Sequence, residues 1–153
     1  MEKRFRIYVE NSVVSAYYFA PKSIVIATRH FFVRATKEGY ELFTSEVTIA
    51  ELEKASEEVR EKSLGVIQAF KVRVVSRPVE AVDLADEYVK RGMIPGRYRP
   101  DAEHIAVASV MGFDVLVSWN LAHIVKFKTK KMVRIINGEL GYRVPEIVRP
   151  DEV

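Results

Sequence analysis

The sequence predicts a three-layer α/β fold, in which a central parallel sheet of four or five strands carries helices on both faces. Short β-branched runs alternate along the chain with one or two helical stretches, the order from which parallel sheets are built. Runs such as VRVV at 72–75 and VLV at 115–117 put apolar residues on both sides of the strand, as strands covered by helices on both faces do. At 153 residues and 48% hydrophobic content, the chain reads as a single domain, 1–153, able to bury its own core.

Residues 5–9 (FRIYV) alternate and are rich in aromatic and β-branched types, so they read as a strand ending at Glu10. A helix starts near Ser12, Pro21 interrupts it, and a second amphipathic helix over 23–37 stops at Gly39. A strand at 41–44 leads into a helix capped by Ser45 or Thr48, with Glu51 in its first turns. Helical pattern over 57–70 precedes the run at 72–75, and Pro78 precedes a further helix over 79–90. The segment RGMIPGRYRP at 91–100 carries two Gly and two Pro, which marks a loop, and its arginines make that loop basic. Asp101 opens a helix to about Met111, Gly112 stops it, and 114–118 (DVLVS) is a buried strand.

With no cysteine, neither a disulfide framework nor a thiolate zinc site can form, so any metal must be held by oxygen or imidazole. The opening residues are basic before an apolar stretch, but polar residues interrupt the stretch and no small-residue cleavage site follows. It reads as a first strand and helix rather than a secretion signal. No run of about 20 apolar residues offers a membrane span. These features predict a soluble, cytoplasmic protein. A net charge of +3 and a pI near 9.1 are compatible with a polyanionic partner.

In open parallel sheets, ligands bind outside the carboxyl ends of the strands, so polar residues at strand exits are the first site candidates. Glu10 follows the first strand, Glu51 lies in the helix after the second, Asp101 opens a helix, and Asn120 follows DVLVS. Three carboxylates gathered with an amide repel one another unless a cation sits among them, and oxygen ligands of this kind suit Mg²⁺ or Mn²⁺. Each residue also has a plainer reading. Glu10 and Asp101 suit helix N-termini, Glu51 suits a solvated helix face, and Asn120 suits a turn. His104 falls one turn after Asp101, where a ligand or proton shuttle could stand, but the preferred reading is a packing residue. Ser12 and Ser118 suit either support of the site or plain capping and strand-end hydrogen bonding, His123 could line the same cleft but its preferred reading is structural, and His30 has no functional argument.

Three segments taken in order resemble the PIN-domain family. IYVENSVVSAYY resembles the opening strand, with Glu10 in the place of an aspartate; TSEVTIAELEKA resembles the second motif, matching Glu51; RPDAEHIAVASVMGFDVLVSWN resembles the third and fourth, matching Asp101 and Asn120. The tail, SWNLAHIV, INGELGYR, EI and P-x-E-V, resembles a subgroup of uncharacterised bacterial and archaeal PIN proteins. The resemblance covers nearly the whole chain and is nearest to toxin-type, VapC-like ribonucleases of type II toxin-antitoxin systems. It implies an endoribonuclease with Mg²⁺ or Mn²⁺ held by Glu10, Glu51 and Asp101, catalysis by these with Asn120, an RNA substrate, an antitoxin protein partner and a homodimer.

Two positions depart from the family pattern. Glu10 is one methylene longer than aspartate, and Asn120 adds no charge, so three formal negative charges stand where four are usual, and metal affinity is expected to be lower. A second reading stays open: a PIN-fold module that binds RNA through the cleft and the loop arginines Arg97 and Arg99, or binds a protein partner, without cutting. A third is a purely regulatory or structural dimer.

Overall fold

The computed structural model describes residues 4–153. Its single sheet contains β1 (Arg6–Val9), β2 (Glu41–Ser45), β3 (Arg73–Val75), β4 (Val115–Val117) and β5 (Glu146–Val148), in the order β3-β2-β1-β4-β5. Every adjacent pair is parallel. The helices are α1 (Asn11–Ala16), α2 (Lys22–Glu38), α3 (Glu46–Glu53), α4 (Glu57–Ala69), α5 (Val79–Lys90), α6 (Arg99–Val110) and α7 (Phe127–Leu140).

Strand alternation sorts the core into two halves. Ile7 and Val9 of β1 pack with Val13, Val14, Phe31, Phe32 and Val66 from α1, α2 and α4 on one face. Tyr8 points the other way, into Leu84, Tyr88, Ile105, Val133 and Ile136 of α5, α6 and α7. Each such fully buried apolar side chain stabilises the fold by about 1.5–3 kcal/mol relative to exposure. Three layers result, as the sequence predicts, and the sheet has the upper of the two expected strand numbers.

Local chemistry sets most element ends. Gly39 stops α2 in the left-handed region at φ 71, a conformation glycine enters without a Cβ penalty. Helix α6 begins at Arg99, two residues ahead of the expected Asp101. Pro100 is tolerated there because its missing N–H falls among the amides that have no intrahelical partner. Helix α7 and strand β5 lie beyond the stretches assigned from pattern. Lys126 gives α7 no side-chain cap, and β5 spans only three residues, so neither carries a strong local signal.

Because the chain runs β1, β2, β3 outward on one side and then places β4 and β5 on the other, the connections leave β1 and β4 in opposite directions. A crevice therefore opens at the carboxyl ends of those two strands. Val9 pairs with Val117, so Glu10 and Ser118 are the next residues along the two strands, at the mouth of that crevice.

Candidate metal centre

Glu10 is buried and caps α1, its Oε2 accepting from Ser12 N–H at 2.9 Å. Its Oε1 accepts two hydroxyls, Ser12 Oγ at 2.6 Å and Ser118 Oγ at 2.5 Å. Each serine in turn accepts a backbone amide, Trp119 N at 2.9 Å for Ser12 and Asn120 N at 2.9 Å for Ser118. The β4 exit loop is thereby tied to α1 through one carboxylate. Ser12 and Ser118 thus share Glu10 Oε1 as their common acceptor.

His104 is fully buried in α6. Its Nε2 lies 2.5 Å from Glu51 Oε1 and 3.9 Å from Glu10 Oε2, and its Nδ1 lies 2.6 Å from the Tyr8 hydroxyl. Tyr8 also hydrogen-bonds Ser45 Oγ at 2.7 Å, and Ser45 caps α3, the helix that carries Glu51. An ionised carboxylate only accepts hydrogen bonds, so Nε2 carries the proton shared with Glu51. Burial pushes the His104 pKa down, but the Glu51 hydrogen bond and the charges of Glu10, Glu51 and Asp101 outweigh it and leave the pKa above its ordinary value. Burial holds the Tyr8 hydroxyl far above its ordinary range, with the nearby Glu10 and Glu51 charges adding to the effect. The preferred packing reading of His104 thus captures its burial and misses its polar partners. The signal that could have found them was its position one helical turn after Asp101.

Asp101 is half-buried beside this group. Its Oδ2 lies 3.0 Å from His123 Nδ1, and its carboxyl is hydrogen-bonded by the Asn120 side chain. Burial first, and the Glu10 charge second, raise the Asp101 pKa; Asn120, His104 and His123 partly offset them. Asn120 accepts His123 N–H on its Oδ1 at 2.9 Å. It therefore works as a turn residue and as an orienting group for Asp101. His123 continues outward, its ring 4.1 Å from that of Tyr98, and the Arg97 guanidinium lies 5.1 Å from the Tyr98 ring.

The loop arginines divide. Arg97 is exposed, whereas Arg99 is committed to Asp86 at 2.5 Å, to Glu103 at 3.8 Å and to the Val82 carbonyl at 3.2 Å.

The ligand atoms of Glu10, Glu51 and His104 all lie within 4.8 Å of one another. Metal–oxygen bonds of about 2.1 Å place opposite ligands about 4.2 Å apart, so small adjustments would close this group on one ion. An ionised carboxylate has about four acceptor positions; Glu10 Oε1 uses two, and Oε2 uses one on Ser12 N–H, leaving Oε2 a position for a cation. His104 would join only by releasing its Nε2 proton. The donors fit a divalent cation, and the imidazole among them is a ligand that carboxylate matching alone does not supply.

No protein-family profile and no curated protein sequence matches the chain. Solved structures do. The chain is similar to VapC20 of Mycobacterium tuberculosis, a sarcin-ricin-loop-cleaving toxin, at 17% identity and a TM-score of 0.57, over 74% of this chain and 89% of that one. It is also similar to VapBC2 of Rickettsia felis, bound to a DNA fragment from its promoter, at 13% identity and a TM-score of 0.54, over 76% of this chain and 89% of that one. Among the described residues no helix is long and apolar enough to cross a membrane. At these identities the likeness speaks for architecture, and the chain has the fold of the PIN-domain toxins of type II toxin-antitoxin systems.

Proposed function

We propose that the chain is a Mg²⁺- or Mn²⁺-dependent endoribonuclease that hydrolyses RNA phosphodiester bonds, silenced by an antitoxin protein. The observation that carries this reading is the convergence of Glu10, Glu51 and His104 within 4.8 Å at the carboxyl edge of the sheet, with Asp101 electrostatically coupled to two of them. The toxin character of VapC20 and the paired VapBC2 complex support the substrate and the partner. Glu10, Glu51 and His104 would hold the ion, with Asp101 alongside. A bound divalent ion supplies positive charge to a phosphodiester oxygen and lowers the pKa of a water. The chain's own residues do the positioning: Ser12 and Ser118 prevent Glu10 from rotating, Tyr8 orients His104, and Asn120 with His123 orients Asp101.

One observation favours the second reading, binding without cutting. Asn120 stands where a fourth acid is expected and spends its side chain on His123 and Asp101, so the centre lacks one negative charge.

The test is cleavage of RNA by wild type, Asp101→Asn, Glu10→Gln and Asn120→Asp, with Mn²⁺ or with chelator. The nuclease reading expects metal-dependent cleavage that Asp101→Asn and Glu10→Gln abolish. Cleavage undiminished in Asp101→Asn places the chemistry elsewhere. A silent wild type beside an active Asn120→Asp hands the assignment to the binding module.

A further inference from the structure

The stretch 126–138 (KFKTKKMVRIING) holds five Lys and Arg and no acid. Helix α7 itself carries four of these positive charges against one acid, Glu139 near its C-terminal end, and Glu139 is paired with Arg91. Among the described residues, none of Lys126, Lys128, Lys131 and Arg134 has a carboxylate partner; Lys128 bonds only the Gly92 carbonyl at 3.1 Å. A helix face that is merely solvated normally interleaves acids at i,i+4 spacing. This one interleaves an aromatic ring: Phe127 is 81% exposed, with the Lys131 ammonium 5.9 Å from its centroid. Phe127, Lys131 and Arg134 follow at i, i+4 and i+7, so they share one face.

The opposite face is anchored. Thr129, Val133, Ile136 and Asn137 are buried, and Asn137 donates to Ser109 Oγ at 2.8 Å and to the Arg143 carbonyl at 2.9 Å while accepting from the Tyr88 hydroxyl. Thr129 Oγ1 donates to the His123 carbonyl at 2.6 Å, which ties the start of α7 to the loop that touches Asp101. Lys126 provides no side-chain cap, leaving first-turn amides available to an anion.

We propose that the exposed face of α7, formed by Phe127, Lys128, Lys131 and Arg134, binds a single-stranded segment of RNA next to the metal centre, with one base stacked on Phe127. A basic face carrying an exposed ring is what a single strand requires, because its phosphates are charged and its bases are free to stack. The proposal rests on the ribonuclease reading for its ligand.

The test is fluorescence anisotropy of the full chain with a labelled single-stranded RNA under chelator, so that binding is read without cutting, across a salt series. Phe127→Ala is expected to weaken binding about tenfold and leave the salt slope unchanged. Lys128→Ala with Lys131→Ala is expected to weaken binding and reduce the slope of log affinity against log salt by about 1.4. The same RNA as a duplex should lose nothing on Phe127→Ala. All three side chains are exposed, and an unchanged melting temperature checks the fold. Wild type that fails to bind RNA, or variants that leave affinity and slope unaltered, overturn the proposal; an equal loss for the duplex overturns the stacking role. The nuclease reading fails separately, as a wild type that binds RNA through α7 and never cuts it.

Discussion

His104 and Glu51 meet at 2.5 Å although 53 residues separate them, and this pair holds a proton at the position proposed for the ion. The His104 pKa is raised, so protonation favours the folded state. The contribution is full below the unfolded value of about 6.5 and is lost as pH rises through the folded value.

In metal-free protein the melting temperature is therefore expected to fall as pH rises above the unfolded histidine value of about 6.5. His104→Gln should flatten that dependence. Thermal denaturation under chelator across this range checks it, and a wild-type curve that is already flat contradicts the buried proton.

Asp101 carries a raised pKa because it is buried near Glu10, so its ionised form burdens the metal-free fold. Asp101→Asn should raise the metal-free melting temperature by about 2–4 °C, equivalent to about 1 kcal/mol, and should lose the stabilisation by Mn²⁺. Wild type should gain about 2.7 kcal/mol at a hundredfold excess over Kd. Asn120→Asp adds a charge, so it should lower metal-free stability and increase the gain from Mn²⁺. Thermal shift with and without Mn²⁺ decides; an Asp101→Asn variant that still responds to Mn²⁺ would exclude Asp101 from the centre.

Tyr8→Phe removes the hydroxyl between Ser45 and His104 Nδ1 and leaves a buried ring nitrogen without its partner. A loss of about 1–3 kcal/mol is expected in urea denaturation. A neutral result would mean that His104 repositions freely.

The two loop arginines should separate by assay. Arg97→Ala should weaken RNA binding and lower its salt slope by about 0.7, with no change in melting temperature. Arg99→Ala should act chiefly on stability, because Arg99 joins α6 to Asp86 and Val82 of α5. Salt-dependent binding and thermal melts on the same two variants show whether the split holds.

The architecture was readable because hydrophobic period and glycine placement are local signals: α5 spans Val79–Lys90, the residues its pattern predicts, and Gly39 ends α2. Glu10 follows β1 and Asn120 lies just past β4, while Glu51 sits in α3 and Asp101 in the first turn of α6, positions that the strand–helix order alone selects as site candidates. What stayed hidden depended on pairing across the chain. Tyr8 reads as one more aromatic strand residue until α6 brings His104 against it. Ser12 and Ser118 are 106 residues apart, and only the β1–β4 register gives them a common acceptor. The commitment of Arg99 likewise needs α5 beside α6.

Glu10 is both the N-cap of α1 and the innermost acid of the candidate centre. Substitution by alanine would cost about 0.5–2 kcal/mol for the cap alone and strand the Ser12 and Ser118 hydroxyls that bond it. A lineage that gave up metal chemistry would thus keep an acid or amide at this position for folding alone. Retention of a polar residue at position 10 in a relative is accordingly poor testimony that the relative still cuts anything, and position 101, whose acid weakens the fold it sits in, is the more honest witness.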